Sequence, residues 1–215
     1  MTSLTRLGAA TLLGLSCLLA VSRASAQEAT AASGALGSRQ SFVLSLEHLG
    51  GFSYTKTEFD GADDDITSKQ YGLFTPFVFM GGGRARLGAH YFVAPPLSLG
   101  GLVSYSDNDS LGAFTLIGVR IGAAFPLSGS ASVWVRGGIS YARLKMDFGG
   151  DEEVKFSTFL PGGELLFALK ASNHFGFLAG GLFEMSMNGK VESDGGETDF
   201  KQREIALSLG AFFDF

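Results

Sequence analysis

One feature limits this chain more than any other: long stretches in which large and small, or apolar and polar, side chains take strict turns. In GAFTLIGVRIGAAF, Ala113, Thr115, Ile117, Val119, Ile121 and Ala123 fall on one face, with Phe114, Leu116, Gly118, Arg120, Gly122 and Ala124 on the other. ASVWVRGGISYA, HFGFLAGGLFEMSM and REIALSLGAFFDF repeat the pattern. Successive side chains of a strand point to opposite faces, so a period of two maintained this long predicts strands longer than the five or six residues usual in soluble proteins. Hydropathy is positive, yet beyond residue 26 no apolar run approaches the ~18 residues that a membrane-crossing helix needs. A membrane-like composition without a membrane-length helix leaves a β-rich soluble protein or a transmembrane barrel.

The N-terminus favours export. A short start with one base, Arg6, leads into an uncharged apolar run, LGAATLLGLSCLLAV, and then SRASA with small residues at Ala24 and Ala26. This reads as a secretory signal peptide over residues 1–26, cleaved after Ala26. Cys17 leaves with it, so the exported chain has no cysteine for disulfides, thiolate catalysis or thiolate-bound metal. What remains carries 14 bases against 21 acids, a net charge of −7, which argues against nucleic acid as a partner. Residues 27–39 (QEATAASGALGSR) are small and polar and predict a flexible arm. Residues 40–215 form the expected barrel domain.

The connections are of two kinds. Ala94-Pro95-Pro96, Leu127 to Ser130 and Lys170 to Asn173 predict short turns, and they alternate with longer polar links at 57–69, 106–110, 145–155 and 188–201. Seven links give eight antiparallel strands. The four long links hold 15 of the 21 acids against five bases, so one end is acidic and the other nearly neutral. Short periplasmic turns and long extracellular loops are the layout of an outer-membrane barrel. Gln70 to Gly83 fits this scheme poorly, because Pro76 and a triple glycine interrupt it. It reads either as an upper extension of the second strand or as a loop segment folded inward.

The ending SLGAFFDF carries a resemblance. Ser208, Gly210, Phe213 and Phe215 match the C-terminal insertion signal of the small eight-stranded bacterial outer-membrane β-barrels, the OmpA/OmpX-like group, and the likeness extends over residues 40–215. The resemblance implies an all-β, eight-stranded up-and-down transmembrane barrel delivered to the barrel-assembly machinery. It also implies contact with outer-membrane lipid and lipopolysaccharide. Phe213 and Phe215 are then expected in an aromatic girdle, with the last strand closing against the first (Gln40 to Lys56).

Alternation places Glu47, Arg84, Arg86, His90, Arg120, Trp134, Arg136, Glu164, Glu184 and Glu204 in the lumen, four arginines against four glutamates. Charges there must be paired, so we expect an ion-pair plug rather than a pore. Arg84 and Glu204 could instead be hydrated near the rims. None of the three histidines has a serine two residues away on its face; His48 is expected on or near the outer face and His174 at a periplasmic turn. No nucleophile–base arrangement follows, so no catalytic residue, cofactor or metal site is expected. Acid clusters at Glu58 to Asp65, Asp107 and Gly149 to Glu153 have no complete calcium-loop spacing. The leading expectation is a non-enzymatic envelope protein with acidic outer loops, and any extracellular ligand is undefined. A narrow passive channel is the alternative. A lipocalin-like carrier would need its apolar face turned inward.

Overall fold

The computed structural model describes residues 34–61, 65–73, 85–108, 112–147, 153–193 and 196–215. The signal segment with Ala24 and Ala26, residues 74–83 of the interrupted stretch, and Arg84 lie outside them. Every regular element among the described residues is a strand: β1 (Phe42–Phe59), β2 (Ile66–Leu73), β3 (Arg86–Ala94), β4 (Leu97–Asn108), β5 (Gly112–Pro126), β6 (Ala131–Asp147), β7 (Glu153–Lys170), β8 (Phe175–Met185), β9 (Met187–Ser193) and β10 (Gly196–Asp214). All pairings are antiparallel, and the ring β1–β3–β4–β5–β6–β7–β8–β10 returns to β1. At the seam Phe42 and Phe215 exchange backbone hydrogen bonds of 3.1 and 2.9 Å. Closure gives each strand of this ring a paired neighbour on both sides, as a lipid surround requires.

The strand count is ten, not the eight expected, because two positions around the barrel are each occupied by two strands. β3 pairs with Phe42–Glu47 of β1, and β2 pairs with Gly50–Thr57 of the same strand. Gln70 to Leu73 thus belong to an upper extension. β8 and β9 share the seventh position and are parted at Ser186, whose N–H donates to Gln202 O and whose hydroxyl accepts from Gln202 N. Asn188, with φ of 54°, then shifts the side-chain parity.

The long links are also shorter than their polarity suggests. β6 and β7 pair out to Asp147 and Glu153, β9 and β10 to Ser193 and Gly196, and β1 and β2 to Thr57 and Ile66. Alternation continues through these hairpins, but their outward positions are charged. Their inward ones (Phe59, Leu144, Met146, Val154, Phe156, Val191, Phe200) pack together.

The outer face is the apolar one. Ile117, Val119, Ile121, Val135, Ile139, Leu165, Ile205, Leu207 and Leu209 are exposed around its middle. Aromatic rings bound this belt at both ends: Phe42, Tyr91, Phe125, Phe213 and Phe215 toward the short turns, and Tyr105, Tyr141 and Phe159 toward the hairpins. Such girdles are the signature of a lipid-facing barrel wall.

The lumen is layered. Toward the short turns an apolar floor contains Val43, Phe92, Ala124, Trp134, Leu166, Leu178 and Phe212. Toward the hairpins an apolar layer contains Leu102, Phe114, Leu116, Leu144, Phe156, Leu160 and Phe200. Charged side chains lie between them. Of the expected arm, residues 27–33 lie outside the described residues, and residues 34–38 are seated in the barrel. They form a turn closed by Ser38 bonds to Ala35 O, and Leu36 is 1% exposed within the floor. Ser132 Oγ donates to Leu36 O at 2.8 Å, and Lys170 Nζ donates to Gly34 O at 3.1 Å. Buried Ala35 and Leu36, with two carbonyl anchors, seat this segment in the barrel mouth.

Candidate functional site in the barrel lumen

Six of the expected lumen residues are joined in one alternating chain. Arg86 grips Glu184 with both nitrogens, at 2.8 and 2.9 Å. Glu184 Oε1 also accepts from Arg120 Nη2 at 3.0 Å, and Arg120 Nε reaches Glu164 Oε1 at 3.4 Å. Glu164 accepts from Arg136 Nη2, and Arg136 forks onto Glu47 at 2.6 and 2.8 Å. Ser45 donates to the same glutamate at 2.6 Å. The order is Arg86–Glu184–Arg120–Glu164–Arg136–Glu47, and all six are buried. Each inner guanidinium bridges two carboxylates, a geometry that the planar fork of arginine allows and a lysine does not.

His90 and Trp134 brace one end. His90 Nε2 lies 3.2 Å from Arg136 Nη1, and its ring stands edge-on to Trp134 at 4.7 Å. Arg136 lies over the Trp134 ring, 4.5 Å from its centroid, and Trp134 Nε1 donates to Ser98 Oγ. The indole thereby joins the floor to the ionic layer through a cation–π contact. Glu204 is buried beside the chain, in register with Glu184.

Glycines make room for these long side chains. Arg120 is flanked in register by Gly100 and Gly138, Arg136 faces Gly122, and Glu184 faces Gly162. A Cβ at Gly122 would sit 2.9 Å from Arg136 Cγ, and one at Gly162 would sit 2.6 Å from Glu184 Cγ. An eight-position barrel is just wide enough for its own side chains, so Arg120, Arg136 and Glu184 take their space from these bare neighbours.

Two features were not expected. His48 is buried in the lumen rather than on or near the outer face. Register shifts between Leu46 and Gly50, so that three residues of β1 oppose Gly210 alone, and His48 adopts φ of 57°. The bulge turns two successive side chains, Glu47 and His48, inward. Gly210 permits it, since a Cβ there would lie 2.5 Å from Leu46 O. The glycines Gly50, Gly51 and Gly210 were the available signal. The second feature is Lys170, read as part of a turn but actually the last residue of β7. It is buried and pairs with Asp214 at 2.6 Å beneath the floor. His174 does occupy the turn, with Nδ1 2.8 Å from Asp214 O.

In the terminal motif, Ser208 and Gly210 share the inward face, while Phe213 and Phe215 face outward. A cavity of about 10 Å³ beside Glu47, His48, Arg136, Glu164 and Ser208 is at the lower limit for one water. Above the belt, Glu58, Asp65 and Glu153 of the acidic clusters are engaged by lysines, while Asp107 accepts from the Tyr105 hydroxyl at 3.3 Å. Lys56 holds Glu58 and Asp65, and these hydrogen bonds raise the lysine above its ordinary range. Lys145 and Lys155 share Glu153 and, by their hydrogen bonds, lower its carboxyl pKa.

A closed antiparallel ring with a lipid-like exterior and an ionic interior defines a transmembrane β-barrel. The chain matches the outer membrane protein beta-barrel domain family over residues 13–215 and belongs to it, which places it in the bacterial outer membrane. No curated protein gives a significant match. Similar solved structures include the N-terminal β-barrel domain of Pseudomonas aeruginosa OprF, 12% identical with a TM-score of 0.46, covering 80% of this chain and 97% of that one. Neisserial surface protein A is 11% identical with a TM-score of 0.49, covering 79% and 95%. Ail, the attachment invasion locus protein of Yersinia pestis, is 17% identical with a TM-score of 0.43, covering 82% and 99%.

Proposed function

We propose that this is a non-enzymatic structural barrel of the outer membrane, exported by its signal peptide and inserted by the barrel-assembly machinery. Its lumen is sealed, and its acidic hairpin end faces outward for envelope integrity or surface contact. The observation that carries this reading is the six-member Arg–Glu chain lying between two apolar layers, with Leu36 seated in the lower one. A water-filled path would have to break these pairs, and separating a buried pair costs several kcal/mol.

A non-catalytic role is supported by the bonds around the histidines. His90 meets Arg136, and His174 meets a backbone carbonyl. The buried hydroxyls of Ser45, Ser98 and Ser132 bond to Glu47, Trp134 and Leu36 O rather than to imidazole. No nucleophile is held against a base in these contacts.

Conductance of the refolded chain in a planar bilayer tests the seal. We expect a silent parent, and openings from Arg136→Ala, which takes the shared partner from Glu164 and Glu47 at one end of the chain. Steady conductance from the parent would replace this reading with the narrow passive channel.

A further inference from the structure

We propose that the outward face of β5–β6–β7, immediately above the lipid belt, is a binding site for the phosphate of an anionic outer-leaflet lipid, centred on Arg143. The inference rests on the outer-membrane placement and does not depend on the lumen being sealed.

The cross-strand register builds the site in three rows. The lowest is the end of the apolar belt, where exposed Ile117, Tyr141 and Phe159 stand side by side and the two rings lie 5.2 Å apart. The next row places Arg143 between Thr115 and Ser157, its direct partners on the neighbouring strands. Opposed residues on adjacent strands have Cβ atoms about 5 Å apart, so both hydroxyls flank the base of the Arg143 side chain, within reach of a ligand that its guanidinium holds. One row further out are Lys145 and Lys155, themselves partners and bridged by Glu153. On β5–β7 these rows hold three cations and one carboxylate; beside them β9 sets Glu192 opposite Lys155, and Lys190, already paired with Glu197, opposite Ser157.

Arg143 is the distinctive member. It is exposed, and no carboxylate among the described residues forms an ion pair with it. Lys56, on the opposite side of the barrel, is by contrast already held by Glu58 and Asp65. An arginine in register between two hydroxyl-bearing residues suits a group with several acceptor oxygens on one centre, which is a phosphate rather than a single carboxylate. The source is a lipid because the row directly below is the aromatic end of the lipid-facing belt. A headgroup whose acyl chains lie along Ile117, Val119 and Ile121 would present its phosphate at the height of Arg143.

The test uses the refolded mature chain in phosphatidylcholine nanodiscs doped with lipid A, with native mass spectrometry counting the lipid retained. Folding is checked for each variant by its heat-dependent gel shift. We expect Arg143→Gln to lower lipid A retention by roughly tenfold, about the effect of losing one charge-assisted fork. Ser157→Ala should lower it by roughly two- to threefold, as expected for one hydrogen bond. Lys69→Gln, a cation removed on the β2 side, should leave it within about twofold. Equal losses from Arg143→Gln and Lys69→Gln would show only diffuse attraction and overturn the proposal. Unchanged retention in Arg143→Gln would also overturn it. Displacement of lipid A by equimolar inorganic phosphate would assign the cradle to the free ion and overturn the lipid source. None of these results bears on conductance, so this inference and the sealed lumen fail separately.

Discussion

The middle of the lumen and its two ends solve the same packing problem with opposite chemistry. At the ends, apolar side chains such as Trp134, Phe212, Leu144 and Phe156 fill the barrel by shape alone. In the middle, six charges fill it only because each has a partner at hydrogen-bond distance. An apolar layer tolerates replacement by anything of the right volume, whereas an ionic layer tolerates no unpaired member. Specificity of register and the seal should therefore reside in the middle, and shape-filling packing at the ends.

Breaking the middle should do the most damage. Arg136→Ala removes the partner of Glu47 and Glu164 at once, and we expect a loss of about 3–5 kcal/mol in urea unfolding from lipid vesicles. At an end, Leu144→Ala leaves a cavity in the upper apolar layer. The expected cost is about 2–4 kcal/mol in the same assay, without any rise in conductance. Gly122→Ala probes the space that the ionic layer needs. Its new methyl meets Arg136 Cγ and Trp134 Nε1, each 2.9 Å away, and the expected loss is about 1–3 kcal/mol.

The smallest effect lies outside both regions, on the β6–β7 hairpin. Glu153 is held ionised by Lys145 and Lys155, so its folded pKa lies below the unfolded one. Its contribution is present above the ordinary carboxylate range and is lost as pH falls through the depressed value. We expect amide exchange at the hairpin to quicken only in that acidic window, and not at all in Glu153→Gln.

The same contrast explains what could be read in the sequence. The lipid-facing wall was legible because Ile117, Val119 and Ile121 alternate with Gly118 and Arg120, and because closure requires something to hold Phe213 and Phe215. Six members of the ionic chain were legible as well, since a charge in an alternating apolar segment has only the lumen to face. The ends were harder. Charged outward positions such as Lys145, Glu153 and Lys155 gave the upper hairpins the composition of loops, although the inward Leu144 and Phe156 kept the strand period. Residues 34–38 resemble an arm in composition, and only the surrounding floor makes Leu36 a buried residue. His48 followed the period of two until a bulge, which alternation alone does not encode, turned it inward.

A double-mutant cycle between Arg136 and Glu47, read by urea unfolding in lipid vesicles, tests the paired lumen most directly. We expect each single neutral substitution to be strongly destabilising, and Arg136→Met with Glu47→Gln together to recover a large part of the loss. Losses that simply add would mean that water, not the opposite charge, satisfies each group, and would contradict a lumen held shut by its own ion pairs.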